Sequence, residues 1–333
     1  MWFLLACTAS VAPPFDARPL PARPRPVAEH GALAVRDGRL VDERGNPVQL
    51  RGVSTQWLNW ERTYATNRAG LAWLRDDWGL SVLRLANGVE HATGYARDVE
   101  NRHAIVEQII DNAIAEDVYV LVDWHTHQFR VDEAKAFFTR VARRYGHHPH
   151  VLYEVFNEPG PLADWQNDLL PYHEAVVTAI RAEDPDNVIV LGSPEFSSRP
   201  DLAIEHPVSG DNLAYTMHFY ACSHGAEVRA HGQAALDAGL ALFATEWASS
   251  TFDGGAVFRW GCPEATREWV DWLDGHQISW AAWKLSSDFD RSGMLAPRAA
   301  PSGGWGAADL KGHGPLIRTL LREGVTREAS RAP

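Results

Sequence analysis

Val151–Pro159 reads VLYEVFNEP, and the change of character inside it decides the fold. Val151 to Phe156 is a short apolar run rich in β-branched and aromatic side chains, too brief for a buried helix and suited to a strand. Asn157 and Glu158 then break the run, and Pro159 lacks the amide hydrogen needed to extend a ladder. A carboxylate therefore stands where a strand gives way to a loop, the position from which barrel and sheet proteins aim reactive groups. Ala241–Trp247, ALFATEW, repeats the design and ends in Thr245-Glu246-Trp247.

Similar runs recur along the chain in one rhythm. They lie at Val48–Val53, Ser81–Ala86, Val118–Trp124, Val151–Phe156, Val188–Gly192, Leu213–Phe219, Leu240–Thr245 and Ser279–Lys284. Between them are stretches with a helical period, among them Asn101–Glu116, Asp132–Tyr145, Asp164–Glu183, Glu227–Ala238 and Pro263–Gly275. Strands separated by helices call for right-handed crossovers and a parallel sheet, and eight such units close into a single (β/α)8 TIM barrel. The fifth helix is the weakest link, with only Pro200–Glu205 to supply it. An open doubly wound sheet is the alternative, but no glycine-rich phosphate loop follows the first strand. Ahead of the barrel, LAVRDGRLVDERGNPVQL alternates apolar and polar residues around Asp37-Gly38 and predicts a short N-terminal β-hairpin.

The 333 residues therefore divide into a leading segment (1–30), one catalytic-type barrel domain (31–325) and a tail (326–333). Residues Trp2 to Ala6 with Cys7 look like the end of a bacterial lipoprotein signal. The basic start and the full apolar run of an export signal are lacking, so either the start codon is placed too far downstream or the match is chance, and the spacer-like stretch that follows favours the former. Thr8 to His30 carries six prolines and no helical or strand period, as in an extended spacer. The expected location is outside a bacterial cell, secreted or held at the surface by a lipid on Cys7. No run is long enough to span a membrane. Cys222 and Cys262 either pair in an oxidising compartment or are two buried thiols.

A net charge of −12 and a pI near 5.6 argue against nucleic acid, whose phosphates demand a basic footprint. Fourteen Trp and eight Tyr supply flat rings of the kind that stack on sugars, although most of them are expected in the core.

Polar residues that strands do not need gather at the carboxyl ends of these runs: Arg84, His125 and His127, Asn157 and Glu158, His218 and Tyr220, Glu246, and Trp283 on the last strand. In a barrel all those ends open on one mouth. Two carboxylates there suit glycoside hydrolysis with retention, which needs an acid and a nucleophile about 5–5.5 Å apart. Arg84 and Tyr220 are expected to hold Glu246 ionised as nucleophile. Glu158, against His218 and the barrel wall, is expected to keep its proton as the acid. Asn157 is placed to bond a sugar 2-hydroxyl.

The ordered set RLA, DWH, YEVFNEP, HFYA, TEW and SWAAW resembles glycoside hydrolase family 5, most closely the bacterial endo-β-1,4-glucanases of its second subfamily. WLRDDWG (Trp73–Gly79), EAKAFFTRVARRYG (Glu133–Gly146) and PSGGW (Pro301–Trp305) match it in order, so the resemblance runs from about Leu33 to Gly324. It implies a metal-free, cofactor-free retaining endoglucanase acting on β-glucan, expected as a monomer, with β-mannanase activity the runner-up. It also implies catalytic roles for Glu158 and Glu246, with Arg84, His125, Asn157, His218, Tyr220 and Trp283 as shared site residues and Trp60 as a sugar platform. Departures lie in the cleft. Gln56 replaces a usual His, Gly88 an aromatic, and Asp288 a Lys that would contact distal sugars.

Other readings compete. His125-Thr126-His127 has the form of the paired ligands of a zinc-dependent barrel hydrolase, but strand five ends in Gly192-Ser193 rather than a ligand. A sugar-binding barrel without a reaction is a further rival. Glu154 is expected to be a buried ion partner, Trp269 and Trp272 core packing, His147, His148 and His150 a solvated turn, and Arg140 to Arg144 helix surface.

Overall fold

A computed structural model describes residues 15–22, 25–252, 261–290 and 292–331. The site read at Cys7 lies outside them.

The hairpin forms as the sequence predicts. Strands β1 (Ala34–Arg36) and β2 (Arg39–Val41) pair antiparallel across Asp37 and Gly38, whose φ values of 49° and 71° make the two-residue turn that matches strand twist. The hairpin is one part of a plug. Val27, Leu33, Leu40, Val48 and Leu50 pack with Val82, Tyr119, Leu121, Leu152, Val190 and Phe243, residues near the starts of the barrel strands. Val48 and Leu50 thus serve this plug, and the first barrel strand begins later than the apolar run suggests, at Arg51. Val27 joins it from a five-residue helix, Pro26–His30, inside the stretch expected to be spacer.

The barrel strands are β3 (Arg51–Thr55), β4 (Val82–Gly88), β5 (Tyr119–His125), β6 (Val151–Glu154), β7 (Ile189–Leu191), β8 (Leu213–Thr216), β10 (Leu242–Ala248) and β11 (Ser279–Leu285), with the two-residue β9 (Phe219–Tyr220) between β8 and β10. All pair in parallel in chain order, and β11 returns to β3, so eight strands close. Closure demands tight contact at one point. A Cβ at Gly52 would stand 1.7 Å from the Val82 carbonyl oxygen, which only glycine permits.

Helices cover the outside for the reason their patterns give. In Val131–Tyr145 the buried residues are Ala134, Phe137, Phe138, Val141, Ala142 and Tyr145, one stripe at helical spacing. Asp132 and Glu133 open the helix and Arg143 and Arg144 close it, in line with its dipole. The helix after the first barrel strand, Arg68–Trp73, continues into a wider turn at Leu74–Trp78, where Arg75 pairs with Glu116 at 2.6 Å. The fifth connection holds only two four-residue turns, Pro194–Ser197 and the 3-10 turn Pro200–Ala203. The last helix, Gly314–Arg331, runs through most of the residues read as a tail. Among the described residues no helix is long and apolar enough to cross a membrane.

Candidate active site

Barrel closure brings the polar strand ends to one mouth. Glu246, on β10, is buried and bound from both sides: Tyr220 donates its hydroxyl to Oε1 at 2.6 Å, and Arg84 donates from Nη1 to Oε2 at 3.0 Å. Glu158, beyond the end of β6, keeps 15% of its side chain exposed and has a different partner, with its Oε1 lying 3.0 Å from His218 Nδ1. One side-chain oxygen of each glutamate and a ring nitrogen of His218 lie within 4.8 Å of one another. Local chain geometry explains part of this. The strand is interrupted between β8 and β9, where the His218 amide bonds to the Ser197 carbonyl and the side chain turns inward.

Arg84 is the hub. Its guanidinium, wholly buried, donates to Glu154 through Nε (2.7 Å) and Nη2 (3.1 Å) and to Asn157 Oδ1 at 2.6 Å, and is ion-paired with Asp123 at 2.9 Å, besides Glu246. Burial works against this cation, but Asp123, Glu154 and Glu246 outweigh it and raise its pKa. Asn157 has its amide oxygen taken by Arg84, so the NH2 group is what remains to offer a substrate. Glu154 is the buried ion partner expected of it.

Electrostatics departs from the simple expectation for Glu246. Burial pushes its pKa upward, and the charge of Glu158 acts in the same sense, while Arg84, His218 and the Tyr220 hydroxyl pull it down. Two donors on Glu246 therefore offset desolvation rather than depress the pKa outright. Burial also raises Tyr220, so its phenol keeps the proton it donates. For His218 burial opposes the cation, yet hydrogen bonds to Glu154 and Glu158 and the nearby carboxylates prevail and raise its pKa to about 9. The contact with Glu154 is 3.6 Å, longer than a hydrogen bond, and Thr245 bridges it: His218 Nε2 is 2.7 Å from the Thr245 hydroxyl, which donates to Glu154 at 2.7 Å.

A ring-lined floor adjoins the carboxylates. The His125 ring lies parallel to Trp283 (5.3 Å, 3°) and edge-on to Trp57 (4.4 Å), and Nδ1 bonds Asp123 at 2.6 Å. Burial and the charge of Arg84 hold His125 neutral. Trp57 in turn stacks on Trp60 (4.9 Å, 16°), which is 56% exposed and presents a free face. Trp57 was not singled out from the sequence, although Trp57 and Trp60 three apart after a first strand are a usable signal. Gly88 lies beneath it, where a Cβ would meet Trp57 at 2.7 Å and Asn59 at 2.1 Å, leaving no room for a larger residue.

The two other cleft departures are each other's partners. Gln56 donates to Asp288 at 2.8 Å, and Lys284, also passed over in the sequence, pairs with Asp288 at 2.8 Å and Asp290 at 3.2 Å. The His125-Thr126-His127 pair is divided. His125 is buried at the floor, whereas His127 sits on the rim with Nδ1 3.2 Å from the Glu158 carbonyl oxygen. Among the described residues the converging donor-bearing set is Glu158, His218 and Glu246, and neither member of that pair belongs to it.

Remaining expectations divide as follows. Trp269 is fully buried against Phe219 (3.8 Å) and Trp272 partly so. His150 is more buried than a solvated turn implies, because it bonds Asp117 at 3.1 Å. Cys222 and Cys262 form a disulfide.

Comparison with known proteins agrees with this architecture. The family model "Cellulase (glycosyl hydrolase family 5)" matches residues 41–289. Endoglucanase N of Pectobacterium atrosepticum is 37% identical over 306 residues, 90% of this chain and 67% of that one. The chain spans between 58% and 67% of the length of the first curated relatives it matches. A solved structure from Cytophaga hutchinsonii superposes with a TM-score of 0.87 at 37% identity, covering 92% of this chain and 99% of that one. A variant of the Thermobifida fusca endoglucanase Cel5A catalytic domain, solved with cellotetraose, gives 0.83 at 30% identity over 90% of this chain and all of that one. With eight parallel strands closed into a barrel, a family model over most of its length and relatives above 30% identity, this chain belongs to the cellulase family, glycosyl hydrolase family 5.

Proposed function

We propose that this protein is an endo-acting β-1,4-glucanase that cleaves internal glucan bonds with retention, through a covalent glycosyl-enzyme intermediate on Glu246. The observation that carries the reading is the pair of carboxylates within 4.8 Å whose partners differ. Retention uses a separation of about 5–5.5 Å, whereas inversion needs about 6.5–9.5 Å to admit a water. Glu246, with a guanidinium and a phenol on its two oxygens, is the better host for negative charge. Glu158 has the acid's task.

In the first step a Glu246 oxygen attacks the anomeric carbon while Glu158 passes its proton to the departing glycosidic oxygen. In the second, Glu158 removes a proton from water as that water's oxygen displaces Glu246. Once Glu246 is esterified its charge is gone, and Glu158, which has already given up its proton, is the group left to act as base. Asn157 offers its NH2 to the 2-hydroxyl, a bond that tightens in the transition state. Trp60 and Trp283 offer ring faces to sugars on the glycone side.

Cellotetraose in the T. fusca complex supports a β-glucan substrate. The Cys222–Cys262 disulfide supports an exported enzyme, since such bonds persist in oxidising compartments. New reducing ends from soluble β-glucan, assayed in parallel on mixed-linkage glucan, glucomannan and mannan, test the substrate. Wild type should act and Glu246→Gln should not. Equal activity of the two would end the mechanism, and release of the α-anomer as first product would end retention. Loss of activity on dialysis against a chelator would favour the zinc reading instead.

A further inference from the structure

Thr245, the residue before Glu246, takes no part in the reaction as written above, yet it is fully buried between the two halves of the site. Its hydroxyl touches Glu154 Oε1 and His218 Nε2, both at 2.7 Å. Glu154 also accepts two bonds from Arg84, and although burial opposes its charge, Arg84 and His218 lower its pKa, so it is an ionised carboxylate and can only accept. The single hydroxyl proton of Thr245 therefore goes to Glu154. Toward His218 the hydroxyl can then only accept, which requires a proton on Nε2.

We propose that Thr245 is a positioning residue for proton transfer: it fixes His218 with Nε2 protonated and helps keep it doubly protonated, so that Nδ1 donates to Glu158 Oε1. This rests on Glu158 being the acid. With Oε1 occupied by a donor, the acid proton of Glu158 resides on Oε2, the oxygen not bonded to His218. Were His218 neutral with Nε2 protonated, the bare Nδ1 would draw that proton onto Oε1 and away from the leaving group. The charges facing His218 agree with a cation. Glu158 and Glu154 come from β6 and its end and Glu246 from β10, and what opposes them is burial; His125 of β5, held neutral by its own burial and by Arg84 of β4, adds no charge.

The proton count closes. Glu158 gives its Oε2 proton to the glycosidic oxygen as the bond to carbon breaks, remains a carboxylate paired with His218, and later recovers a proton from the attacking water. His218 keeps both of its protons through the cycle, and Thr245 and Glu154 exchange none.

Thr245→Val retains shape and removes the hydroxyl; Thr245→Ser restores it. With cellotetraose, whose leaving group needs protonation, kcat of Thr245→Val should fall on the order of tenfold or more. The alkaline limb of its profile should move down by about one to two pH units. With 2,4-dinitrophenyl cellobioside, whose leaving group departs without a proton, the first step should stay near wild type, and Thr245→Ser should behave as wild type with both substrates. Equal losses on both substrates with an unmoved alkaline limb would show a merely structural role and overturn the proposal. So would a wild-type profile in Thr245→Val. Ring 15N signals of His218 in the wild-type protein give a reading that needs no variant: a neutral ring at pH 7, or Nε2 without its proton, also overturns it. Glu158→Ala separates the two levels. If that variant shows no dependence on leaving group, the acid assignment itself fails; if it does and Thr245→Val does not, only the role of Thr245 fails.

Discussion

Tyr220→Phe isolates one of the two bonds that hold charge on Glu246. The phenol donates to Oε1 at 2.6 Å in a site where Glu246 is almost wholly enclosed, and phenylalanine keeps the ring while deleting the donor. Arg84 remains on Oε2, so the carboxylate is weakened rather than abandoned. A hydrogen bond to a charged group contributes about 1.5–3 kcal/mol, and about 1.4 kcal/mol corresponds to one pKa unit, so Glu246 should rise by about one to two units. The sign follows from its role. The nucleophile works ionised, above its pKa, and activity is lost as pH falls through that value. Raising the pKa therefore moves the acid limb of kcat/KM up by the same one to two units, while the plateau at higher pH changes less. The assay is reducing-end release from cellotetraose, a neutral substrate whose own titration does not enter, measured across pH with the fold checked by circular dichroism. An acid limb that coincides with wild type would refute the idea that the Tyr220 hydroxyl sustains the charge on Glu246.

Glu246→Gln should raise the thermal midpoint at pH 7. Burial raises the folded pKa of Glu246, so its ionised form costs stability above that pKa and the cost fades as pH falls through it. Roughly 1 kcal/mol of relief would appear as about 2 °C in a calorimetric scan at pH 7 and shrink toward pH 4. Trp60→Ala should raise KM on cellotetraose about tenfold with kcat little changed, because its exposed face offers binding away from the reacting bond; an equal fall in kcat would contradict this. Reducing the Cys222–Cys262 bridge, which closes 40 residues of sequence, should cost up to about 4 kcal/mol by chain entropy and lower the thermal midpoint; an unchanged melt in reductant would refute it.

The chain's own order carried a great deal. Short apolar runs at strand length, helical stripes between them and polar residues at the run ends are local patterns, and the barrel follows from counting them. Asp37-Gly38 announced its turn because few residues accept two positive φ angles in succession. Val131–Tyr145 announced its buried face by spacing alone. Where local pattern and packing diverge, the sequence misleads. Val48 and Leu50 read as a strand start but fill the barrel floor, and Pro26–His30 reads as spacer but supplies Val27 to the same plug.

Sequence thus determined which residue types stand at the strand ends, because a strand's end is written in neighbouring residues. Only the closed barrel decided what they touch. Arg84 meets Glu246 across 162 positions and Thr245 meets Glu154 across 91, and no period or motif encodes such distances. Gln56 and Asp288, two separate departures when read along the chain, became one hydrogen-bonded pair when β11 came to rest beside β3. The direction of the Glu246 shift was likewise hidden, since it is set by how completely water is excluded around the carboxylate, a property of the assembled walls.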